Sequence, residues 1–133
     1  MTDFTTINPA NGASIQTWQS LSASDLNDTI DQVSASGLTW RDTPFAERTL
    51  RFKRLAELIR SRTDELSSLI TLEMGKPITQ SRAECEKCAW LCEYFADHAE
   101  AFLADQMMEL DGHRAMVIFR PIGTIYAIMP WNF

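Results

Sequence analysis

The chain lacks any long apolar run. Nothing in it approaches the roughly 18–20 consecutive apolar residues of a bilayer-spanning helix, and Met1 to Ser20 has neither the basic start nor the apolar stretch of a secretory leader. The expectation is a cytoplasmic protein with no membrane partner. Positive charge is also in short supply: 12 Lys and Arg stand against 18 Asp and Glu, a formal charge of −6. A nucleic-acid partner, which requires a dense Lys/Arg face, is not expected. Histidine is confined to His98 and His113, each without a second ligand at metal spacing, so no metal site is expected. The 3 cysteines, Cys85, Cys88 and Cys92, are odd in number and closely spaced, which makes a poor disulfide framework and suits a reducing compartment. A phosphate loop is missing too. Gly75-Lys76 has no upstream glycine, no following Ser/Thr and no preceding strand, so helix termination explains the pair better. No repeat, low-complexity stretch or linker interrupts the chain.

What is present describes a globular domain. A composition 45% hydrophobic and 23% charged is that of a folded soluble chain, long enough for one core. Residues 4–20 read as a strand pair, with β-branched and aromatic residues flanking the turn-forming Asn8-Pro9-Ala10-Asn11-Gly12. Three helices are expected across residues 22–105. The first is capped near Ser22–Asp25, carries Leu26, Ile30 and Val33 at helical spacing and stops at Gly37. A second starts with Asp42 or Thr43 as cap and Pro44 in its first turn. It puts Leu55, Leu58, Ile59, Leu66, Leu69 and Ile70 on a core face and leaves Arg51, Lys53, Arg54, Glu57 and Arg60 in solvent, ending at Gly75-Lys76-Pro77. A third runs from about Thr79 to Asp105. After a turn at Asp111-Gly112 the period changes to that of strands, over 114–120 and 122–130. The second of these runs is apolar almost throughout, as in a parallel strand buried on both faces. A parallel partner needs a crossover of a dozen or more residues, and only four residues follow Met129. The sequence therefore reads as a piece of a longer chain.

Among candidate sites, the cysteines fall within one arc of the third helix and continue its apolar stripe. Core packing is the simpler reading than a metal or a catalytic thiol, since free cysteine is among the most buried residue types. Asp105, Glu109 and Asp111 beside a turn read as solvated charge. Pro130-Trp131-Asn132-Phe133 differs because it follows the expected buried strand directly, and open α/β sheets bind ligands beyond the carboxyl ends of their strands. A rigid ring, a large aromatic and an amide donor placed there can wall a ligand and aim a hydrogen bond.

Three stretches carry a family resemblance. Gly123-Thr124-Ile125-Tyr126-Ala127-Ile128-Met129-Pro130-Trp131-Asn132-Phe133 resembles the aldehyde dehydrogenase segment in which a glycine opens a strand ending in Pro-Trp-Asn-Phe. Leu72-Glu73-Met74-Gly75-Lys76-Pro77 resembles the family's helix-ending Glu-x-Gly-Lys-Pro, and Ile7-Asn8-Pro9-Ala10-Asn11-Gly12 its opening Asn-Pro motif. Residues 81–96 are similar to bacterial succinate-semialdehyde dehydrogenases in particular. The resemblance extends over residues 4–133.

It implies an α/β fold: the amino-terminal helical part and first strand (122–130) of an aldehyde dehydrogenase-like dinucleotide-binding domain, with 114–120 as a strand of the oligomerisation region, the whole truncated. It implies oxidation of an aldehyde, succinate semialdehyde in particular, to the acid, with NADP or NAD as cofactor and through a cysteine thioester. A homo-oligomer is implied for the full-length enzyme. Asn132 matches the amide that donates to the oxyanion, and Trp131, Asn132, Ile128 and Met129 match cofactor-binding positions. The family's nucleophile, general base and phosphate-binding turn match nothing within residues 1–133, so the chain alone is expected to be inactive. The alternatives are a dehydrogenase for another aldehyde and a non-catalytic helical module that binds a partner.

Overall fold

A computed structural model describes residues 3–129. Strands β1 (Asp3–Ile7) and β2 (Ser14–Gln19) pair antiparallel, with an irregularity between Thr6 and Ile7. Their connection is built by asparagine side chains: Asn8 Oδ1 accepts from the Ala10 amide at 2.9 Å and Asn11 Oδ1 from the Ala13 amide at 3.0 Å. Such side chains mimic backbone turns, which is why this composition reads as a hairpin.

Among the described residues four helices follow rather than three. Helix α1 (Ala23–Arg41) opens in a capping box, with Ser22 Oγ accepting from the Asp25 amide and the Asp25 carboxylate accepting from the Ser22 amide. It runs through Gly37, a residue that lowers helix stability but does not end a helix unaided. The expected second helix divides at Arg62 (φ −109°, ψ 17°) into α2 (Phe45–Ser61) and α3 (Thr63–Met74). At the break, Ser61 Oγ donates to the Leu58 carbonyl and Thr63 Oγ1 to the Ile59 carbonyl. Asp64 and Glu65 then lie in the first turn of α3. Hydroxyls bonding back to carbonyls compete with the helical ladder, and fresh acids suit a new positive helix end. Gly75 closes α3 in the left-handed conformation (φ 72°), and α4 (Ile78–Phe102) turns back after Pro77.

Helices α2, α3 and α4 form one layer, in which α2 and α4 run antiparallel. Thr49 Oγ1 donates to the Ala96 carbonyl at 3.0 Å, and Lys53 pairs with Asp97 at 2.8 Å. Further along, Arg60 holds both Glu86 and Glu93, so it is a clamp between helices rather than the free surface charge its pattern suggests. The seam is made of small residues: among the described residues, Ala56, Ser67, Ser81, Cys85 and Ala89 are the buried ones. Leu55, Leu58 and Leu69, expected in the core, stay 45%, 42% and 49% exposed. Helix axes approach closely where side chains are small, and the larger side chains are left on faces that no second layer covers among the described residues.

Strands β3 (Gln106–Leu110) and β4 (His113–Val117) form a second hairpin about Asp111-Gly112. Gly112 supplies the positive φ of 76° that its two-residue turn requires. The strand expected over 114–120 is thus shorter, and its partner Gln106–Leu110 was hidden among carboxylates read as loop. The strand expected over 122–130 is not formed across the described residues 122–129. Ile122, Tyr126 and Ile128 are 91%, 87% and 83% exposed. An apolar run becomes a strand only when neighbouring backbone receives its N–H and C=O groups, and no such neighbour lies beside it among the described residues.

Candidate functional site

Two of the three motif stretches meet in space. The loop after β1 brings Pro9 against the corner between α3 and α4, where a Cβ on Gly75 would stand 3.0 Å from Pro9 Cγ. The next residue, Lys76, makes a partly buried ion pair with Glu84 of α4. Glycine at 75 therefore answers two demands, a left-handed helix terminus and a close approach by proline. This corner is a structural joint, and nothing in it resembles a phosphate cradle.

The third stretch begins beside α1. Thr124 Oγ1 lies 3.9 Å from where a Cβ of Gly37 would be, and Phe119 to Ile125 form one wall of a cleft of about 770 Å³. Its other walls come from the end of α1 (Val33, Trp40) and the start of α2 (Phe45, Arg48). Arg48 organises that corner. Its Nη2 donates to the carbonyls of Trp40 (2.7 Å) and Arg41 (2.9 Å), and its Nε to that of Thr43 (2.9 Å). The guanidinium lies 5.1 Å from the Trp40 ring centroid and 5.4 Å from that of Phe45. One cation thus satisfies carbonyls that a helix end leaves open while packing between two aromatic faces. Sequence reasoning missed Arg48; its available signal was an arginine eight positions after a tryptophan, across a helix start.

Of the expected cofactor-binding residues, Ile128 and Met129 are 83% and 73% exposed and line no part of the cleft. Trp131 and Asn132 lie outside the described residues. The described residues consequently form no enclosed cradle for a dinucleotide, and the chemistry of their side chains near 128–129 is purely apolar.

The other candidates resolve simply. Cys85 is buried in the helical seam, as expected, Cys92 is half-buried and Cys88 is exposed, so the stripe reading fails at Cys88. Burial pushes the Cys85 and Cys92 thiols upward in pKa, with smaller contributions in the same direction from neighbouring Cys88. A raised pKa makes a thiol a poorer source of the nucleophilic thiolate. Among the described residues no cluster of three or more His, Cys, Asp and Glu is arranged for a metal ion. Asp105 stands 3.8 Å from Arg120. His98 stacks on Tyr94 at 4.4 Å and donates through Nδ1 to the Tyr94 carbonyl at 2.7 Å. Among the described residues no helix is long and apolar enough to cross a membrane.

The family model for the aldehyde dehydrogenase family matches residues 1–133. This chain belongs to the aldehyde dehydrogenase family. A Synechocystis sp. relative named "probable succinate-semialdehyde dehydrogenase" for NADP(+) is 41% identical over 96% of the chain and 28% of its own length. The NAD(P)+ succinate semialdehyde dehydrogenase Sad of Escherichia coli is 38% identical, again over 96% of the chain and 28% of its own length. In structure, the chain is similar to succinic semialdehyde dehydrogenase from Streptococcus pyogenes in complex with NADP+. That match has a TM-score of 0.80 and 26% identity, over 85% of this chain and 25% of the other. The chain spans about 28% of the length of these curated relatives. Its four helices and small sheets match the amino-terminal part of the aldehyde dehydrogenase fold.

Proposed function

We propose that the chain is the amino-terminal part of a dehydrogenase that oxidises succinate semialdehyde to the acid with NADP or NAD. The observation that carries this reading is the 41% identity, over 128 residues, to a protein of that name; a second relative of the same name at 38% supports it. Asn132 is the chain's catalytic contribution. An uncharged amide has two N–H donors and no charge of its own to desolvate, so it can be aimed at an oxyanion that exists only during reaction. Trp131, Ile128 and Met129, with Asn132, are the chain's cofactor-binding positions in the complete enzyme. None of Cys85, Cys88 and Cys92 matches the family's nucleophile, and the 133-residue chain by itself is inactive. The working enzyme is a cytoplasmic homo-oligomer, a reading supported by the three free thiols and by the implied oligomerisation strand.

The test joins these 133 residues to the part of the Synechocystis relative that they do not match. The expected result is reduction of NADP or NAD by the chimera with succinate semialdehyde, and none by the chain alone. Asn132→Ala in the chimera is expected to lower turnover roughly 100- to 1,000-fold. Equal or better turnover of an uncharged aliphatic aldehyde would sink the substrate reading, and oxidation by the chain alone would sink the assignment of the nucleophile elsewhere.

A further inference from the structure

Two glycines meet the run that leads to Asn132, and they are glycine for different reasons. Gly37 lies inside α1, one turn before its end at Arg41, and its φ is not positive. The helical backbone there needs no glycine, which weakens a helix relative to alanine. What distinguishes the position is its neighbour. Thr124 Oγ1 would meet a Cβ on Gly37 at 3.9 Å, an ordinary van der Waals contact. A methyl therefore fits, whereas a Cγ continuing toward Thr124 overpacks the contact. Gly123, immediately before Thr124, has the opposite character. Nothing stands within 4 Å of a Cβ built on it, but its φ is 116°, a backbone that other residues rarely adopt. Pro121 fixes a further φ two residues earlier. Gly123 turns the chain, and Gly37 leaves room where the chain arrives on α1.

We propose that Gly37 and Thr124 are a positioning pair: the face of α1 at Gly37 is the stop against which the run carrying Asn132 is set. Neither residue touches the reacting atoms; both act through the amide. Asn132 follows Thr124 by eight residues. In the complete enzyme the intervening run is paired at a fixed register and moves as a unit. A side chain at 37 that displaces Thr124 then displaces the amide as well, and a misplacement of about 1 Å can cost roughly 100-fold in rate. The proposal rests on the reading of Asn132 as the oxyanion donor.

Variants of the chimera test it. Gly37→Val should lower kcat roughly 10- to 100-fold with the KM for succinate semialdehyde unchanged, because the misplaced donor acts only in the transition state. Valine suits the test because its branched side chain keeps one rotamer in a helix and cannot swing aside into the cleft that Gly37 lines. Gly37→Ala should slow amide exchange in α1 roughly fivefold by removing the glycine penalty, and should lower kcat far less than Gly37→Val. Thr124→Ala added to Gly37→Val should return most of the lost kcat. With Asn132→Ala already present, Gly37→Val should cost nothing further, a result that general weakening of the fold does not produce. Undiminished kcat in Gly37→Val overturns the proposal. So does a loss that Thr124→Ala fails to restore, or one that adds in full to that of Asn132→Ala. The unsubstituted chimera reads out separately: if it oxidises no aldehyde, the dehydrogenase reading falls, and the contact is measured in the chain alone. There Gly37→Val and Thr124→Ala should act non-additively on amide exchange in the last turn of α1, and additive effects overturn the pairing.

Discussion

Arg60 sits in a run of charged residues that pattern alone assigns to solvent, yet its guanidinium spans to two carboxylates on another helix. The hydrogen bond from Arg60 holds the Glu93 carboxyl below the usual carboxylate range, and that from Lys53 does the same for Asp97. A carboxyl with a depressed folded pKa stabilises the fold above its unfolded value, near ~4.3, and this contribution disappears as pH falls through the folded value. Acidification below about pH 4 should therefore lower the urea midpoint of the native chain more than that of Arg60→Ala. Parallel pH profiles for the two proteins would show that the clamp contributes nothing. Gly75 makes a second residue-scale case. Gly75→Ala should cost about 1–2 kcal/mol for the left-handed backbone and more for the approach of Pro9 at 3.0 Å. Pro9→Ala in the same chain should restore only the second part, a separation that a double-mutant cycle measures.

At the scale of elements, the helices differ in what holds them. Helix α1 buries no residue, and Leu26, Ile30 and Val33 on its apolar stripe remain 48%, 49% and 47% exposed. Its capping box and Arg48 at its far end therefore matter more than they would in a packed helix. Ser22→Ala should weaken α1 by roughly 1 kcal/mol. The loss should appear as faster amide exchange within α1, with little change in global unfolding, because a helix without buried contacts opens locally. The layer of α2, α3 and α4 behaves in the opposite way. Ala89 is fully buried where α4 meets its neighbours, and Ala89→Leu should cost about 1–3 kcal/mol in global stability through overpacking, measured by urea unfolding. No loss there would mean that the seam has unfilled space.

The whole molecule combines a closed helical seam with a large uncovered apolar surface. Non-specific association of the free chain should rise with sulfate, which strengthens apolar burial, and light scattering would follow it. A chain that stays monomeric at high sulfate would contradict the reading of that surface as an aggregation hazard. Much of the architecture was legible beforehand. The Asn-rich turn, the Ser22 cap, the Gly75 stop and the Asp111-Gly112 turn are each decided by local chemistry within a few residues. The division at Arg62 was less legible, because hydroxyl groups bonding back to carbonyls compete with a helix that the apolar spacing continues to favour. The candidate site was legible only as a motif: Trp131 and Asn132 follow a run whose side-chain pattern says buried strand, and the structure shows that pattern exposed.

By itself, the sequence determined the family, the first hairpin turn, the Ser22 cap and the Gly75 stop, since these depend on short-range spacing and on residue types that tolerate few backbone conformations; the cap expected at Asp42 or Thr43 did not form, Pro44 taking that position without a side-chain bond. Cys85 apart, tertiary structure decided which residues are inside. The seam went to Ala56, Ser67, Ser81, Cys85 and Ala89 because closely packed helices admit small side chains. It left the apolar run before Pro130 uncovered because burial depends on what is packed against a residue, a property that no residue carries in its own side chain.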